Sequence, residues 1–139
     1  MFQTVVVGAD ESPTAAEAVR QAIELVKLTG GKLHIVSAYA HQQLATDDAE
    51  FAKSLNSADI AQNLLDDLAS RARLAGVDVT THGTHGSPAS SICEIATEVD
   101  ADLIIVGNKG MKGARRVLGS VPNSVAHQAP CSVLIAATT

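Results

Sequence analysis

Apolar residues gather into five short runs along the chain, and longer mixed stretches separate these runs. TVVVGAD (4–10) and ADLIIVG (101–107) are apolar almost throughout, which is typical of strands in a parallel sheet that is covered on both faces. VDVTTHGT (77–84) alternates apolar and polar residues, so it predicts an edge strand with one wet face. KLHIVSAYA (32–40) and CSVLIAA (131–137) complete five predicted strands.

The stretches between the runs carry apolar residues at helical spacing. A first helix is predicted from Pro13, capped by Ser12 or Asp10 and ended by Gly30 and Gly31. Its buried stripe is expected to be Ala15, Ala18, Val19, Ala22, Ile23 and Val26.

Three further helices follow from the same pattern. The second ends at Gly76 and is expected to bury Ile60, Leu64, Leu68, Ala72 and Ala75. The third starts at Ser87 and Pro88 and is expected to bury Ile92, Ile95, Ala96 and Val99. The fourth is short, from about Ser120 to His127, and the polar segment 40–57 is predicted to be a loop.

Five strands that alternate with four helices predict an α/β fold with a doubly wound, five-stranded parallel sheet and helices on both faces. Strand order 3-2-1-4-5 places the two most apolar strands inside the sheet and the half-polar third strand at an edge. The winding then reverses between strands 1 and 4, which opens a ligand-binding crevice at their carboxyl ends. We expect residues 1–139 to form one domain of this Rossmann-like kind.

Composition narrows the choice of partners. No apolar run approaches the roughly 20 residues of a membrane helix, and the N-terminus has no charged region before its apolar stretch, so we expect a soluble, cytoplasmic protein without membrane contact. The chain is acidic overall and holds two Phe, one Tyr and no Trp, which disfavours nucleic acid. Cys93 and Cys131 match no metal or disulfide pattern and are expected to be buried.

The charge is distributed unevenly along the chain. All fifteen acidic residues lie at or before Asp102, whereas four of the ten basic residues follow it within GNKGMKGARRVLGS (107–120). These four are Lys109, Lys112, Arg115 and Arg116. The C-terminal part of the chain therefore favours a compact anion such as a phosphate group.

The same segment has the composition of a phosphate cradle. Gly107, Gly110 and Gly113 lack a Cβ atom, so backbone N–H groups can approach phosphate oxygens closely. Gly119 and Ser120 lead into the fourth helix, whose free N–H groups also suit an anion. Lys109 and Arg116 are the basic residues that we assign to this site. The alternative is that these residues form an ordinary surface turn.

Asp10 follows the first strand at the same crevice. Its carboxylate has the chemistry to bind a ribose hydroxyl, an adenine amine or a phosphate-bound Mg²⁺. The alternative role is a helix cap. No protein metal site is predicted.

Other sites of phosphate or histidine chemistry are not supported. The chain contains neither GxxxxGK[ST] nor a GxGxxG after its first strand. THGTHG (81–86) has HxxH spacing and includes no Cys or carboxylate, so its histidines are expected at the surface. A response regulator would end its third strand in an Asp, and this chain has His85 and Gly86 there.

With Asp10 after strand 1, GSPASSI (86–92), VGNKG (106–110) and LGSVPNSVAHQAPCSVLI (118–135), the chain resembles the universal stress proteins. This is a family of small proteins with an adenine nucleotide alpha hydrolase-like fold, and its ATP-binding members carry the pattern G-2X-G-9X-G-[ST]. Gly107, Gly110, Gly119 and Ser120 match that pattern with eight intervening residues instead of nine. We expect the shorter bridge to weaken ATP binding or to shift the preference toward AMP or cyclic AMP.

The resemblance also implies positions for the ligand contacts. Ala9 and Asp10 are expected to border the adenine and the ribose, and Ala38 is expected to line the adenine pocket. The residues implied around the ribose and the phosphates are Gly107, Asn108, Lys109, Gly110, Gly119, Ser120, Val121 and Pro122. Mg²⁺ would be held through the phosphates.

The fifth strand is an apolar edge, which favours pairing with a second chain. The resemblance implies a homodimer formed by this strand, Cys131 to Ala137, antiparallel to its copy. The expected function is stress-response regulation by adenine-nucleotide binding. Two alternatives stay open from the sequence: slow ATP hydrolysis, and an interaction dimer whose nucleotide site is vestigial.

Overall fold

The five apolar runs form one parallel sheet in a computed structural model that describes residues 1–10, 12–39, 48–108 and 121–138, with the backbone alone for 48–56. The strands are β1 (Thr4–Gly8), β2 (Lys32–Tyr39), β3 (Asp78–His85), β4 (Leu103–Gly107) and β5 (Ser132–Ala136). Their order is β3-β2-β1-β4-β5, and every neighbouring pair is parallel. The predicted topology is therefore confirmed.

Within the described ranges, four helices cover the sheet, two on each face. They are α1 (Pro13–Thr29), α2 (Asp48–Leu74), α3 (Pro88–Glu98) and α4 (Val121–Gln128). Alternate residues of β1 separate the two cores: Val5 and Val7 pack with α1 and α2, whereas Val6 packs with α3 and α4. In the described part of the chain, no helix is both long and apolar enough to cross a membrane.

The first and third helices begin as predicted. Ser12 caps α1 by accepting a hydrogen bond from the Ala15 N–H at 3.2 Å, and Gly30 ends it with a left-handed backbone (φ 72°). Ser87 caps α3 in the same way, at 3.4 Å from the Ser90 nitrogen. All six predicted stripe residues of α1 are buried.

The prediction for α2 was wrong in two respects. Residues 48–57 are helical instead of looped, because Ala, Glu, Lys and Leu in this segment favour a helix even where no clear apolar stripe marks one. The buried stripe is also rotated, since Ile60 is 44% exposed and the helix buries a row rich in alanine. The buried residues of this row are Ala61, Leu65, Leu68, Ala69 and Ala72, of which Leu68 and Ala72 were predicted. Positions 40–47 lie outside the described residues.

Smaller differences concern the ends of elements and the thiols. Helix α4 begins at Val121, while Ser120 lies outside the described residues. Val99 caps the end of α3 and is only partly buried. Cys93 is buried as predicted, whereas Cys131 is half-buried because it precedes the edge strand β5.

Candidate functional site

A cavity of about 340 Å³ opens at the edge of the sheet where β1, β2 and β4 end. It lies at the point where the winding reverses, and it is bounded by the first turns of α1, α3 and α4. Its described lining residues are Gly8, Ala9, Asp10, Ser12, Thr14, Ala15, Val36, Ala38, Pro88, Ile92, Val106, Gly107, Val121 and Pro122. We call it the first cavity.

The structure brings half of the predicted site residues together around this cavity. Those that line it are Ala9, Asp10, Ala38, Gly107, Val121 and Pro122. Asn108 is described but is not part of the lining. The remaining predictions, Lys109, Gly110, Arg116, Gly119 and Ser120, lie outside the described residues.

The loop after β1 holds Asp10 at the mouth of the first cavity. The Asp10 Oδ1 atom accepts a hydrogen bond from the Ser12 N–H at 2.7 Å, while the Ser12 side chain caps α1. The helix cap is therefore Ser12 and not Asp10. Asp10 itself is exposed, so its carboxylate can bind a hydroxyl or an amine of a ligand.

Asn108 has a structural partner instead of a place in the cavity wall. Its Oδ1 atom accepts hydrogen bonds from the Thr138 N–H at 3.1 Å and from the Thr138 hydroxyl at 2.8 Å. These bonds fix the end of β4 to the residues after β5. A role for Asn108 in holding the adjacent backbone of Gly107 follows from this geometry.

The wall of the cavity includes residues that sequence reasoning did not single out. Gly8 lies against Ile92 of α3, and a Cβ atom at this position would collide with the Ile92 side chain. Val36 lies two residues before Ala38 and therefore on the same face of β2. Pro88 lines the cavity from the first turn of α3. The period of two along β2 was the signal that would have identified Val36.

The electrostatics of the described lining are one-sided. Asp10 is its only charged residue, and no basic side chain is among the described lining residues. The beginning of α4 faces the cavity through Val121 and Pro122, and this end of a helix carries a partial positive charge. An anionic group is thus best placed beside α4 and Gly107, away from Asp10.

The histidines of THGTHG occupy two different environments. His85 is exposed, as predicted, and its Nε2 lies 3.2 Å from the Tyr39 hydroxyl oxygen. His82 is partly buried, contrary to the prediction, because its Nε2 lies 3.0 Å from Nδ1 of the buried His34 on the neighbouring strand. Burial lowers the pKa of both His34 and His82. No group of three or more potential metal ligands occurs among the described residues.

Comparison with known proteins indicates a single protein family. The family model described as "Universal stress protein family" matches residues 1–137. A universal stress protein of Mycobacterium tuberculosis is 37% identical over 145 residues, which span 99% of this chain and 98% of that protein.

Two solved structures add ligands to this comparison. A universal stress protein in complex with cAMP is 35% identical, with 99% of each chain covered and a TM-score of 0.82. A universal stress protein from Archaeoglobus fulgidus in complex with dAMP is 25% identical, with 97% of this chain and 98% of that chain covered and a TM-score of 0.67.

Proposed function

Because the chain belongs to the universal stress protein family, we propose that it binds an adenine nucleotide in the first cavity and acts as a cytoplasmic, homodimeric stress-response regulator. The observation that carries the proposal is the cavity of about 340 Å³ where the ends of β1, β2 and β4 meet. Relatives of this chain at 35% and 25% identity are complexes with cAMP and dAMP.

The lining supports one orientation of the nucleotide. Val36 and Ala38 form an apolar wall at the β2 end of the cavity, which suits the adenine ring. Asp10 lies between the two ends and suits the ribose hydroxyls. Gly107 and the beginning of α4 then receive the phosphate.

The charges around the first cavity bear on the number of phosphates that a ligand can carry. Asp10 repels an anion, and no basic side chain is among the described lining residues. Charge compensation therefore depends on segment 109–120, which contains Lys109, Lys112, Arg115 and Arg116 and lies outside the described residues. We expect AMP and cyclic AMP to bind more tightly than ATP, because the bridge between Gly110 and Gly119 is one residue shorter than in the ATP-binding pattern. Mg²⁺ is expected to improve the binding of ATP alone by reducing its charge.

Strand β5 supports the proposal of a homodimer. It lies at an edge of the sheet and pairs on one side with β4. Leu134 and Ile135 of this strand are 40% and 39% exposed, which is unusual for an aliphatic pair on a strand with an open hydrogen-bonding edge. An antiparallel copy of β5 would cover these side chains and satisfy the open edge.

Isothermal titration calorimetry tests the proposed binding. AMP, cyclic AMP and ATP are titrated into the protein, each with and without Mg²⁺, and GMP serves as the control for base recognition. We expect saturable binding of AMP and cyclic AMP, weaker binding of ATP and no comparable heat with GMP. No binding of any adenine nucleotide at millimolar concentration would refute the proposal.

A further inference from the structure

A second cavity, of about 200 Å³, lies on the α2 side of the end of β2. Asp10 and Ala38 line both cavities, so the two cavities are neighbours at these residues. The other described residues around the second cavity are Ser37, Tyr39, Ser57, Ile60, Ala61 and Leu64. Its walls thus combine apolar side chains of α2 with hydroxyl groups.

Ser37 contributes a hydroxyl group to the wall of the second cavity. The residue is only 3% exposed, so this hydroxyl lies in a mostly buried wall. A hydroxyl in such a wall can donate a hydrogen bond to a ligand or to water. Because Ser37 lines the second cavity, its hydroxyl is available to a molecule that enters there.

The position of the second cavity selects the end of the nucleotide that can reach it. In the sheet, β2 and β4 lie on opposite sides of β1, so Ala38 and Gly107 mark opposite ends of the first cavity. The second cavity adjoins the β2 end, where the proposed function places the base. The Asp10 carboxylate at the junction disfavours an anionic group there.

We propose that the second cavity receives an uncharged, ring-sized substituent carried on the base of the bound adenine nucleotide. Ile60, Ala61 and Leu64 then contact the apolar part of the substituent, and Ser37 donates a hydrogen bond to an oxygen within it. This inference rests on the proposed function, because it requires the adenine to lie beside Ala38. It assigns to the chain a class of base-modified nucleotides as ligands.

The probes are AMP and two analogues that carry a furfuryl group, whose ring holds one oxygen acceptor, on N6 or on C2 of the base. Calorimetry with the wild-type protein is expected to show that at least one analogue binds as tightly as AMP or more tightly. If AMP binds and both analogues bind more than about tenfold more weakly, the second cavity does not take such a group and the inference is wrong. If AMP itself does not bind, the proposed function and this inference fail together.

Variants separate the second cavity from the first. Ile60→Phe narrows the second cavity at a position that is 44% exposed, and Leu74→Phe is the matched control at a 90% exposed position of the same helix. We expect Ile60→Phe to weaken the binding of the better analogue about tenfold or more. AMP affinity is expected to stay constant in both variants, since neither residue lines the first cavity.

Ser37→Ala tests the hydrogen bond without adding bulk. Loss of one hydrogen bond is expected to weaken the binding of the better analogue about three- to tenfold and to leave the binding of AMP unaffected. An equal loss for AMP and the analogue would show that the variant disturbs the first cavity instead. Unchanged analogue binding in both Ile60→Phe and Ser37→Ala would contradict the inference, because the substituent would then lie elsewhere.

Discussion

Gly107 shows how one missing side chain shapes the first cavity. It ends β4, lines the cavity, and is followed by Asn108, whose bonds to Thr138 fix the local backbone. A Cβ atom built on Gly107 would meet Thr138 at 3.4 Å and the Thr14 carbonyl oxygen at 3.6 Å, both ordinary contacts. The fold therefore tolerates alanine here, although a ligand that approaches this backbone would not.

We predict that Gly107→Ala weakens AMP binding about tenfold, while the free energy of unfolding changes by less than about 1 kcal/mol. Calorimetry and chemical denaturation measure the two quantities. Gly83→Ala is the matched control, since a Cβ atom at this strand position meets Leu65 at 3.6 Å and the residue does not line the first cavity. Equal AMP affinity in the wild type and in Gly107→Ala would show that the nucleotide does not approach this backbone.

His34 and His82 make stability depend on pH. Burial is the main cause that lowers the pKa of each; Lys32 acts in the same direction on both, while Asp78 opposes the effect at His34 and Glu98 at His82. As the pH falls through the ordinary value of 6.5, the unfolded chain therefore binds protons before the folded protein does. The contribution of these histidines to the free energy of unfolding is fully present above this pH. It declines below this pH, until the histidines of the folded protein also become protonated.

We predict that the free energy of unfolding decreases between pH 7.5 and pH 5.5 in urea titrations. His82→Gln is expected to reduce this decrease, because one of the two bases with a lowered pKa is gone. The exposed His127, changed to Gln, is the control and is expected to preserve it. A wild-type protein that is equally stable at both pH values would show that folding does not lower the pKa of His34 and His82.

Among the described glycines, Gly31 is the one whose Cβ position lies closest to the backbone of another segment. A Cβ atom on it would lie 2.8 Å from the carbonyl carbon of Gln3, and the Gln3 oxygen also accepts the Lys32 N–H at 2.8 Å. The beginning of β2 is thus in close contact with Gln3, the residue that precedes β1. Backbone atoms cannot move aside as a flexible side chain can.

We predict that Gly31→Ala lowers the free energy of unfolding by about 1–3 kcal/mol, as overpacking does in a close-packed interior. Guanidinium denaturation measures the loss. Gly83→Ala again serves as the control and is expected to be neutral or slightly stabilising, because alanine restricts the unfolded chain. A loss in Gly31→Ala no larger than in the control would mean that β1 and β2 can separate without cost.

The elements also show what could be predicted from the sequence. The stripe of α1 was fully identified because its apolar residues, its cap Ser12 and its final Gly30 all indicate the same helix. In α2 the alanines at 61, 69 and 72 are buried, and alanine is too common on exposed faces to mark a stripe. Hydrophobic patterning therefore located the later part of the helix and only part of its buried face, namely Leu68 and Ala72.

The candidate site was predictable to the extent that it depends on the ends of strands. Asp10 and Gly107 follow apolar runs directly, so the parallel topology placed both at the crevice. Pro88 and Ile92 reach the cavity only through the packing of α3, and Ser37 reaches the second cavity only through the packing of α2. Such contacts between distant segments leave no local pattern in the sequence.

At the scale of the whole molecule, β5 is the proposed homodimer interface. We predict that Ile135→Lys converts a homodimer into a monomer, because a charge on this edge would be buried without a partner in the antiparallel pair. Analytical ultracentrifugation measures the mass. Leu28→Lys is the control, since Leu28 is 85% exposed on α1, and it is expected to leave the dimer intact. A dimer of unchanged stability in Ile135→Lys would place the interface on another surface.

The central claim is that the first cavity holds an adenine nucleotide with its base beside Ala38 and its phosphate beside Gly107. A crystal structure of the protein grown with cyclic AMP tests this claim most directly. The account predicts density for one nucleotide across the ends of β2, β1 and β4, in that order from base to phosphate. Density in the reverse orientation, or a nucleotide bound away from this cavity, would contradict it.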